Sequence, residues 1–247
     1  MEIVFLGTGT GVPSNKRGAP GIIMKTQKEH LLFDSGPGTL WRMYRAGFTY
    51  EDIDWIFYTH FHVDHISDIA SFLFVTKYEV CPRTKDLNIV GPKGIKEFYN
   101  KLVNLYGDQI VSNSYTLLLR EIGNNEIQGN DWKISALPLL HNKESIGYRI
   151  IEKDKTIVYS GDTNYCKNIV RLAENADLLI LECSFPEKVE VHLTPELAGK
   201  VAREANVKRL VLTHLYPVCD SYNIMDECKK EFDGEIVIAY DLMRIEV

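Results

Sequence analysis

The sequence feature that most constrains the fold is a cluster of three histidines and an aspartate within six residues: His60, His62, Asp64 and His65. The apolar run Trp55–Thr59 precedes the cluster and predicts a strand, and a helix-like stretch begins at Ile66. The cluster is therefore predicted to lie on a strand-to-helix loop, where side chains can converge on one point. Imidazole and carboxylate groups are typical ligands of a borderline-soft divalent cation, zinc above all.

Two metal ions are the more economical interpretation of this cluster. One zinc ion takes about four ligands, and four groups within one hexapeptide cannot all wrap around a single ion. His60 and His62 can face the same way on an extended chain, whereas Asp64 and His65 turn toward a second position. We therefore expect two divalent ions, most simply Zn²⁺, with Mn²⁺ or iron as alternatives.

Further ligands are expected at the ends of other strands. Three polar residues each follow an apolar strand-like run: His141, Asp162 and His214. Functional sites gather at the carboxyl ends of strands in proteins that contain both helices and sheets. His30 lies in a polar turn and is not expected to take part in the site.

The order of the predicted elements favours mixed β-sheets flanked by helices, because several strands come in succession before helices enter. Strand-like runs recur along the chain: Ile3–Leu6, Gly21–Lys25, Leu31–Asp34, Trp55–Thr59, Leu87–Val90, Tyr115–Ile122, Lys133–Pro138, Ile146–Glu152, Thr156–Ser160, Leu178–Glu182, Arg209–Thr213 and Glu235–Ala239. The helix-like stretches are Ile66–Lys77, Pro92–Tyr106, Asn164–Asn175, Thr194–Ala205 and Asp220–Phe232. No linker-like segment interrupts them, so a single domain over residues 1–247 is expected.

Composition excludes some classes of protein and favours others. The chain is 45% hydrophobic and 25% charged, with a net charge of −6, whereas a broad phosphate-binding surface usually brings a basic surplus. No apolar stretch is long enough for a membrane span. Five scattered cysteines without a C-x-x-C pair, and no signal-like segment before the first predicted strand, make the cytoplasm the expected compartment.

The residues above resemble the ligand set of the metallo-β-lactamase superfamily. The similarity covers nearly the whole chain, from Phe5–Gly9 and Leu32–Gly36 to Ala239–Met243. It implies an α/β fold of the αββα type: a four-layer sandwich of two mixed sheets, with the site at one edge between the sheets. It also implies the metal assignments: one ion held by His60, His62 and His141, the other by Asp64, His65 and His214, and Asp162 bridging both.

His192 points to one branch of this superfamily. The segment Val191–Thr194 resembles the histidine-x-threonine motif of tRNase Z-like enzymes, and Glu182 stands where that branch carries a companion glutamate. The resemblance implies that Glu182 holds His192 as a catalytic acid and that Asp34 orients a ligand histidine. The alternative for His192 is a surface histidine at the start of a helix.

The chain also departs from the tRNase Z pattern. Those enzymes carry an arm that grips tRNA, inserted between the positions of His141 and Asp162, where this chain predicts only a strand, a turn and a strand. Stable tRNA binding is therefore not expected, and a small phosphodiester or an RNA end fits better as substrate. In the loop Pro13–Gly18, Lys16 and Arg17 are candidates to contact substrate, with a solvated turn as the alternative. A homodimer is possible.

The expected function is that of a dinuclear phosphodiesterase, resembling ribonuclease Z, that uses a metal-bridging hydroxide as the nucleophile. Asp64 is expected to orient or deprotonate that nucleophile, and His192 to assist the leaving group. Alternatives on the same fold are a lactonase or thioesterase and, from a different class, an iron-dependent sulfur dioxygenase. A nucleic-acid-binding module without catalysis is disfavoured by the acidic net charge. The diiron oxygen-reducing branch is disfavoured because His62 stands where it carries glutamate.

Overall fold

A first mixed sheet is built almost entirely from the first half of the chain. The computed structural model describes residues 1–123 and 125–247. Seven strands form this sheet in the spatial order β14-β1-β2-β3-β4-β5-β6. Their bounds are β1 (Glu2–Gly7), β2 (Gly21–Lys25), β3 (His30–Phe33), β4 (Trp55–Phe57), β5 (Leu87–Gly91), β6 (Leu117–Glu121) and β14 (Arg244–Glu246). The pairs from β14 to β3 are antiparallel, and the pairs from β3 to β6 are parallel.

The second sheet follows the same plan in the second half. Its order is β13-β12-β11-β10-β9-β8-β7, parallel from β13 to β10 and antiparallel from β10 to β7. The strands are β7 (Ile127–Gln128), β8 (Trp132–Pro138), β9 (Ile146–Glu152), β10 (Lys155–Tyr159), β11 (Leu178–Glu182), β12 (Arg209–Thr213) and β13 (Glu235–Ile238). Two mixed sheets are what the sequence predicted.

Helices cover the outer face of each sheet. They are α1 (Thr39–Arg45), α2 (Val63–Ile66), α3 (Asp68–Val75), α4 (Ile95–Tyr106), α5 (Lys167–Leu172), α6 (Pro195–Glu204) and α7 (Ile224–Lys229), with 3-10 turns at Gly107–Ile110 and Pro217–Ser221. In the described residues no helix is long and apolar enough to cross a membrane.

Alternating side chains of the strands produce the layers. On β1, Ile3 and Phe5 belong to the core between the two sheets, whereas Val4 and Leu6 belong to the core beneath the helices of the first sheet. All four are fully buried, as a strand covered on both faces requires. A third core lies between the second sheet and its helices. The predicted αββα sandwich is therefore confirmed.

Of two helix starts that the sequence predicted, at Thr194 and at Pro92, the structure has one as predicted and one later in the chain. The prediction at Thr194 is correct, because its side chain caps α6 by accepting a hydrogen bond from Leu197 N–H, with Pro195 as the first helical residue. The predicted start at Pro92 is wrong. The helix begins at Ile95, because Gly94 takes a left-handed conformation (φ 107°) that ends the turn after β5.

Candidate metal and catalytic site

The predicted site residues are brought together by strand direction. β8, β10 and β12 run the same way, because β8 and β10 are each antiparallel to β9 and the strands from β10 to β12 are parallel. Their carboxyl ends therefore share one edge of the second sheet. His141, Asp162 and His214 follow these three ends, and the His60–His65 segment follows β4 of the other sheet.

Four of the residues form a first candidate metal position. They are His60, His62, His141 and Asp162. Each has one side-chain nitrogen or oxygen that could bind a metal ion, and these four atoms all lie within 4.8 Å of one another. His141 Nε2 is 3.1 Å from His62 Nδ1 and 3.6 Å from Asp162 Oδ2. His60 Nε2 is 3.8 Å from the same oxygen. Three nitrogens and one oxygen around one point are a ligand set that zinc accepts.

A second candidate position lies beside the first. Asp64, His65 and His214 bring their ligand atoms within 4.8 Å of one another. His65 Nε2 is 3.2 Å from His214 Nε2, which is 3.6 Å from Asp64 Oδ2. Asp162 Oδ1 lies 3.1 Å from His65 Nε2 and 3.3 Å from His214 Nε2. The two oxygens of Asp162 thus face different positions, as a bridging carboxylate would.

Unsatisfied buried atoms support metal binding at this place. Within the described part of the chain, His60 Nε2 and Asp162 Oδ1 are buried and form no hydrogen bond of acceptable geometry. Burial, with further lowering by the neighbouring His65, keeps the pKa of His60 well below its usual range, so that the ring is neutral and its lone pair is free. A buried polar atom without a partner is costly, and a metal ion would satisfy both atoms.

Asp34 lies behind the second position and contacts a candidate ligand. It is fully buried, and its Oδ2 is 2.8 Å from His65 Nδ1. Tyr159 donates its hydroxyl proton to the same oxygen, and Thr59 donates its backbone N–H to Oδ1. These contacts fix the ring of His65 so that Nε2 faces the cluster. They are the contacts that the predicted orienting role requires.

Glu182 is the hub of a second buried network. Its Oε1 is 2.9 Å from His192 Nδ1 and accepts the backbone N–H of Thr163. Its Oε2 accepts the hydroxyl proton of Ser184, whose Oγ is also 2.9 Å from His214 Nδ1. Burial of the His192 ring opposes protonation, but the hydrogen bond with Glu182 and its charge outweigh burial, so the pKa of His192 is raised. The His192 side chain is only 11% exposed, which disfavours the surface-histidine alternative.

The two basic residues of the first loop make structural contacts. Arg17 Nη1 donates to Thr8 Oγ1 and to the carbonyl of Ala239, and its side chain is only 14% exposed. Lys16 is exposed and lies 3.2 Å from Asp220. In this structure Arg17 joins the loop after β1 to the end of β13. A solvated turn is therefore an incorrect description of Arg17.

Several residues at the site were missed by sequence reasoning. Ser184 and Tyr159 act through the contacts just described. Tyr216 and Phe185 stack with ring centroids 4.3 Å apart, and His192 lies within 6.2 Å of both. Burial, and then the carboxylates of the site, raise the pKa of Tyr216. Tyr216 lies two residues after the predicted ligand His214, and this closeness in sequence is the signal that could have indicated its place at the site.

Comparison with known proteins agrees with this geometry. Residues 29–215 match the family described as Beta-lactamase superfamily domain. Ribonuclease Z from Archaeoglobus fulgidus is 30% identical, over all of this chain and 98% of its own length. Two solved structures align over 100% of this chain and 99% of their own, each at 26% identity. They are the metallo-beta-lactamase fold protein YhfI from Bacillus subtilis, with a TM-score of 0.86, and the short form of human tRNase Z (ELAC1), with a TM-score of 0.82.

The alignment with the archaeal relative also contains a length difference. It spans 307 positions, whereas this chain has 247 residues. The relative therefore has residues at positions where this chain has none. The matching family, the identity along the full length and the shared fold lead to one conclusion: this chain is a member of the beta-lactamase superfamily and, within it, of the ribonuclease Z family.

Proposed function

We propose that this chain is a metal-dependent phosphodiesterase of the ribonuclease Z type that holds two divalent ions, Zn²⁺ in the first instance. The observation that carries the proposal is the pair of His192 and Glu182 beside a double histidine–aspartate cluster. His192 lies with its ring centroid 4.9 Å from that of His141 and 5.8 Å from that of His214, so it faces both candidate metal positions.

The residues fit a dinuclear centre. His60, His62 and His141 would hold one ion, Asp64, His65 and His214 the other, and Asp162 both. When bound, such ions acidify water and polarise phosphate oxygens. Asp64 accepts the backbone N–H of Gly11 at 3.0 Å, which holds its carboxylate at the edge of the site where it can orient a water molecule.

His192 would supply the proton that the departing oxygen needs. Its Nδ1 is held by Glu182, which leaves Nε2 as the atom that can face a substrate. The raised pKa of His192 keeps the ring protonated nearer to neutral pH, which suits a general acid. A phosphodiester needs this proton because its leaving group is an alkoxide.

The proposed substrate is an RNA end or another small phosphodiester, rather than a tRNA gripped by an arm. β9 and β10 pair directly and are joined by the two residues Lys153 and Asp154, which leaves no room for an inserted arm between His141 and Asp162.

The decisive experiment compares His192→Ala with wild type on a short RNA oligonucleotide after reconstitution with zinc, because its leaving group is a ribose alkoxide, whereas the p-nitrophenolate of bis(p-nitrophenyl) phosphate leaves without a proton. We expect the variant to lose on the order of a hundredfold in kcat, the scale of a positioned acid, while its metal content stays the same. His30→Ala is the matched control, because His30 Nδ1 bonds the carbonyl of Asp52, away from the cluster.

Two results would contradict the proposal. Undiminished kcat in His192→Ala would remove the acid role. A zinc-loaded wild type that hydrolyses a lactone or thioester but no phosphodiester would favour a carbonyl hydrolase instead, and iron in the purified protein together with persulfide oxidation would favour a dioxygenase.

A further inference from the structure

Two segments that carry the superfamily resemblance supply none of the candidate metal ligands: Phe5–Gly9 at the end of β1 and Ala239–Met243 after β13. They meet at Asp241. Its Oδ1 accepts the backbone N–H of Thr8 at 2.9 Å and the Thr8 hydroxyl proton at 2.8 Å, and its Oδ2 accepts the backbone N–H of Gly18 at 2.7 Å. One carboxylate therefore holds both ends of the segment from Thr8 to Gly18, which we call the glycine loop.

The glycine loop contacts one ligand of the second candidate metal position directly. Gly11 donates its backbone N–H to Asp64 Oδ2 at 3.0 Å. A Cβ atom at Gly11 would lie only 3.1 Å from Asp64 Cβ, so the loop passes as close to this aspartate as a glycine permits. The position of the loop therefore determines where the Asp64 carboxylate can lie.

His214, another ligand of the second position, depends on the same loop. Its backbone is left-handed, with a φ of 56°, and such a conformation persists in a residue with a side chain only where the neighbouring structure holds it. The carbonyl of Thr8 accepts the backbone N–H of Leu215, the next residue, at 3.0 Å. Because Asp241 holds Thr8 by two hydrogen bonds, it supports the backbone turn that orients His214 toward the cluster.

The first candidate metal position has no such link to the glycine loop. Within the part of the chain that the structure describes, the ring nitrogens of its histidines form hydrogen bonds with Thr59, Asn142, the carbonyl of Val191 and one another, and none with the loop. The effect of Asp241 should therefore be confined to one of the two positions.

We propose that Asp241 is a positioning residue for one of the two metal ions. Through the glycine loop it holds Asp64 and the backbone beside His214, and it thereby sets the affinity of the second position without changing that of the first. This inference rests on the proposed function, because it concerns the two ions which that function requires. It also gives a role to the segment Ala239–Met243, whose residues lie outside both ligand clusters.

The test measures both zinc dissociation constants of wild type and Asp241→Asn by competition with a chromophoric chelator. An amide nitrogen donates but cannot accept, so in either orientation of the new side chain one end of the glycine loop loses its acceptor. We expect one constant to rise by about 10–100-fold and the other to stay within about twofold. Asp177→Asn is the matched control. Asp177 also accepts a backbone N–H, from Thr156 at 2.8 Å, but near the amino end of β10, whereas the site lies at the carboxyl end.

Further variants assign the effect to a position. His141→Ala removes a ligand of the first position, and His214→Ala removes one of the second. Adding Asp241→Asn should weaken the zinc that remains in His141→Ala by about tenfold or more, and should not change the zinc that remains in His214→Ala. Thr8→Val keeps the shape of a fully buried side chain and removes its hydrogen bond to Asp241. It should weaken the same ion by about two- to tenfold, even if Asp241→Asn folds poorly.

The two proposals can fail separately. Unchanged constants in Asp241→Asn, or a rise of the same size in both constants, would overturn the positioning role, since the second result indicates a general loss of stability. Weaker zinc binding on adding Asp241→Asn to His214→Ala would also overturn it. A wild type that binds fewer than two ions would contradict both proposals. If wild type binds two zinc ions but hydrolyses no phosphodiester, the proposed function fails, and a selective rise in one constant would still support the role of Asp241.

Discussion

Asp34 has a left-handed backbone conformation (φ 54°) directly after β3, which is unusual for a residue with a side chain. Aspartate and asparagine tolerate this conformation better than most residues because their side chains bond locally. Here the carboxylate reaches Thr59 and His65, so the backbone turn and the orientation of a candidate ligand depend on one residue.

Replacing Asp34 by Asn should weaken metal binding with little effect on the fold. The amide keeps the backbone conformation, but it cannot offer His65 Nδ1 the same charged acceptor. We expect a loss of about 10–100-fold in zinc affinity, measured by competition with a chromophoric chelator. Asp131→Asn, which alters a carboxylate bonded to Thr26, is the control. Equal affinities in the two variants would contradict the orienting role.

The contacts of some residues can be predicted from the sequence, and those of others cannot. The cluster from His60 to His65 is compact in the chain, so its convergence follows from local geometry alone. Tyr159 donates to Asp34 across 125 positions of sequence, and Arg17 reaches the Ala239 carbonyl across 222. No local pattern contains such contacts. For that reason Arg17 was considered for substrate contact, although it makes structural hydrogen bonds.

At the scale of elements, one buried arginine joins two loops of the first sheet. Arg83 is 1% exposed and lies in the connection between α3 and β5. Its guanidinium donates to the carbonyls of Ile53 at 2.7 Å and Asp86 at 2.9 Å, and also to those of Tyr50 and Lys85. Burial lowers its pKa, but the four carbonyl acceptors occupy four of the five N–H donors of the cation.

Arg83→Met should destabilise the protein substantially. It leaves the buried carbonyl of Ile53 and the part-buried carbonyls of Tyr50, Lys85 and Asp86 without these donors. A buried group that loses its partner costs about 1–3 kcal/mol, so we expect a loss of about 2–3 kcal/mol in the free energy of unfolding. Urea denaturation measures it. Arg120→Met is the control: that side chain is exposed and contacts the ring of Trp55 without such bonds, so its loss should stay below about 1 kcal/mol. Similar losses in both variants would disprove the anchoring role.

Elements were predictable where the pattern was long and regular. The runs at β2, β9, β11 and β12 are observed with the predicted bounds, because continuous apolar residues specify a strand buried on both faces. Four short helices and strands were missed: α1, α2, β7 and β14. They have seven residues or fewer. Segments this short are stabilised by packing onto neighbours rather than by their own periodicity.

At the scale of the whole molecule, the candidate site joins the two sheets. His60 and His62 come from the loop after β4 of the first sheet, and Asp64 and His65 from α2, which follows that loop. His141, Asp162 and His214 follow strands of the second sheet. Both sheets therefore contribute ligands to each position. β14, from the last residues, pairs antiparallel with β1, from the first.

Removing the metals should lower the thermal stability of the entire protein. An ion that binds only the folded state stabilises it by about 2.7 kcal/mol when its concentration is 100 times Kd. We expect a chelator to lower Tm by several degrees and added zinc to restore it, measured by scanning calorimetry. His141→Ala should make Tm respond less to the chelator. A Tm that is the same with and without chelator would contradict metal binding across the sheets.

The layers of this protein and its candidate metal ligands can be inferred from the amino-acid sequence alone. Apolar runs specify strands whatever surrounds them, and histidines and aspartates at strand ends are predicted ligands wherever those ends meet. Tertiary structure decided the rest, because it alone brings distant segments into contact. Only the folded chain joins Glu182 through Ser184 to His214, and only the packing of α4 against the loop that carries His62 stacks Phe98 on Phe61.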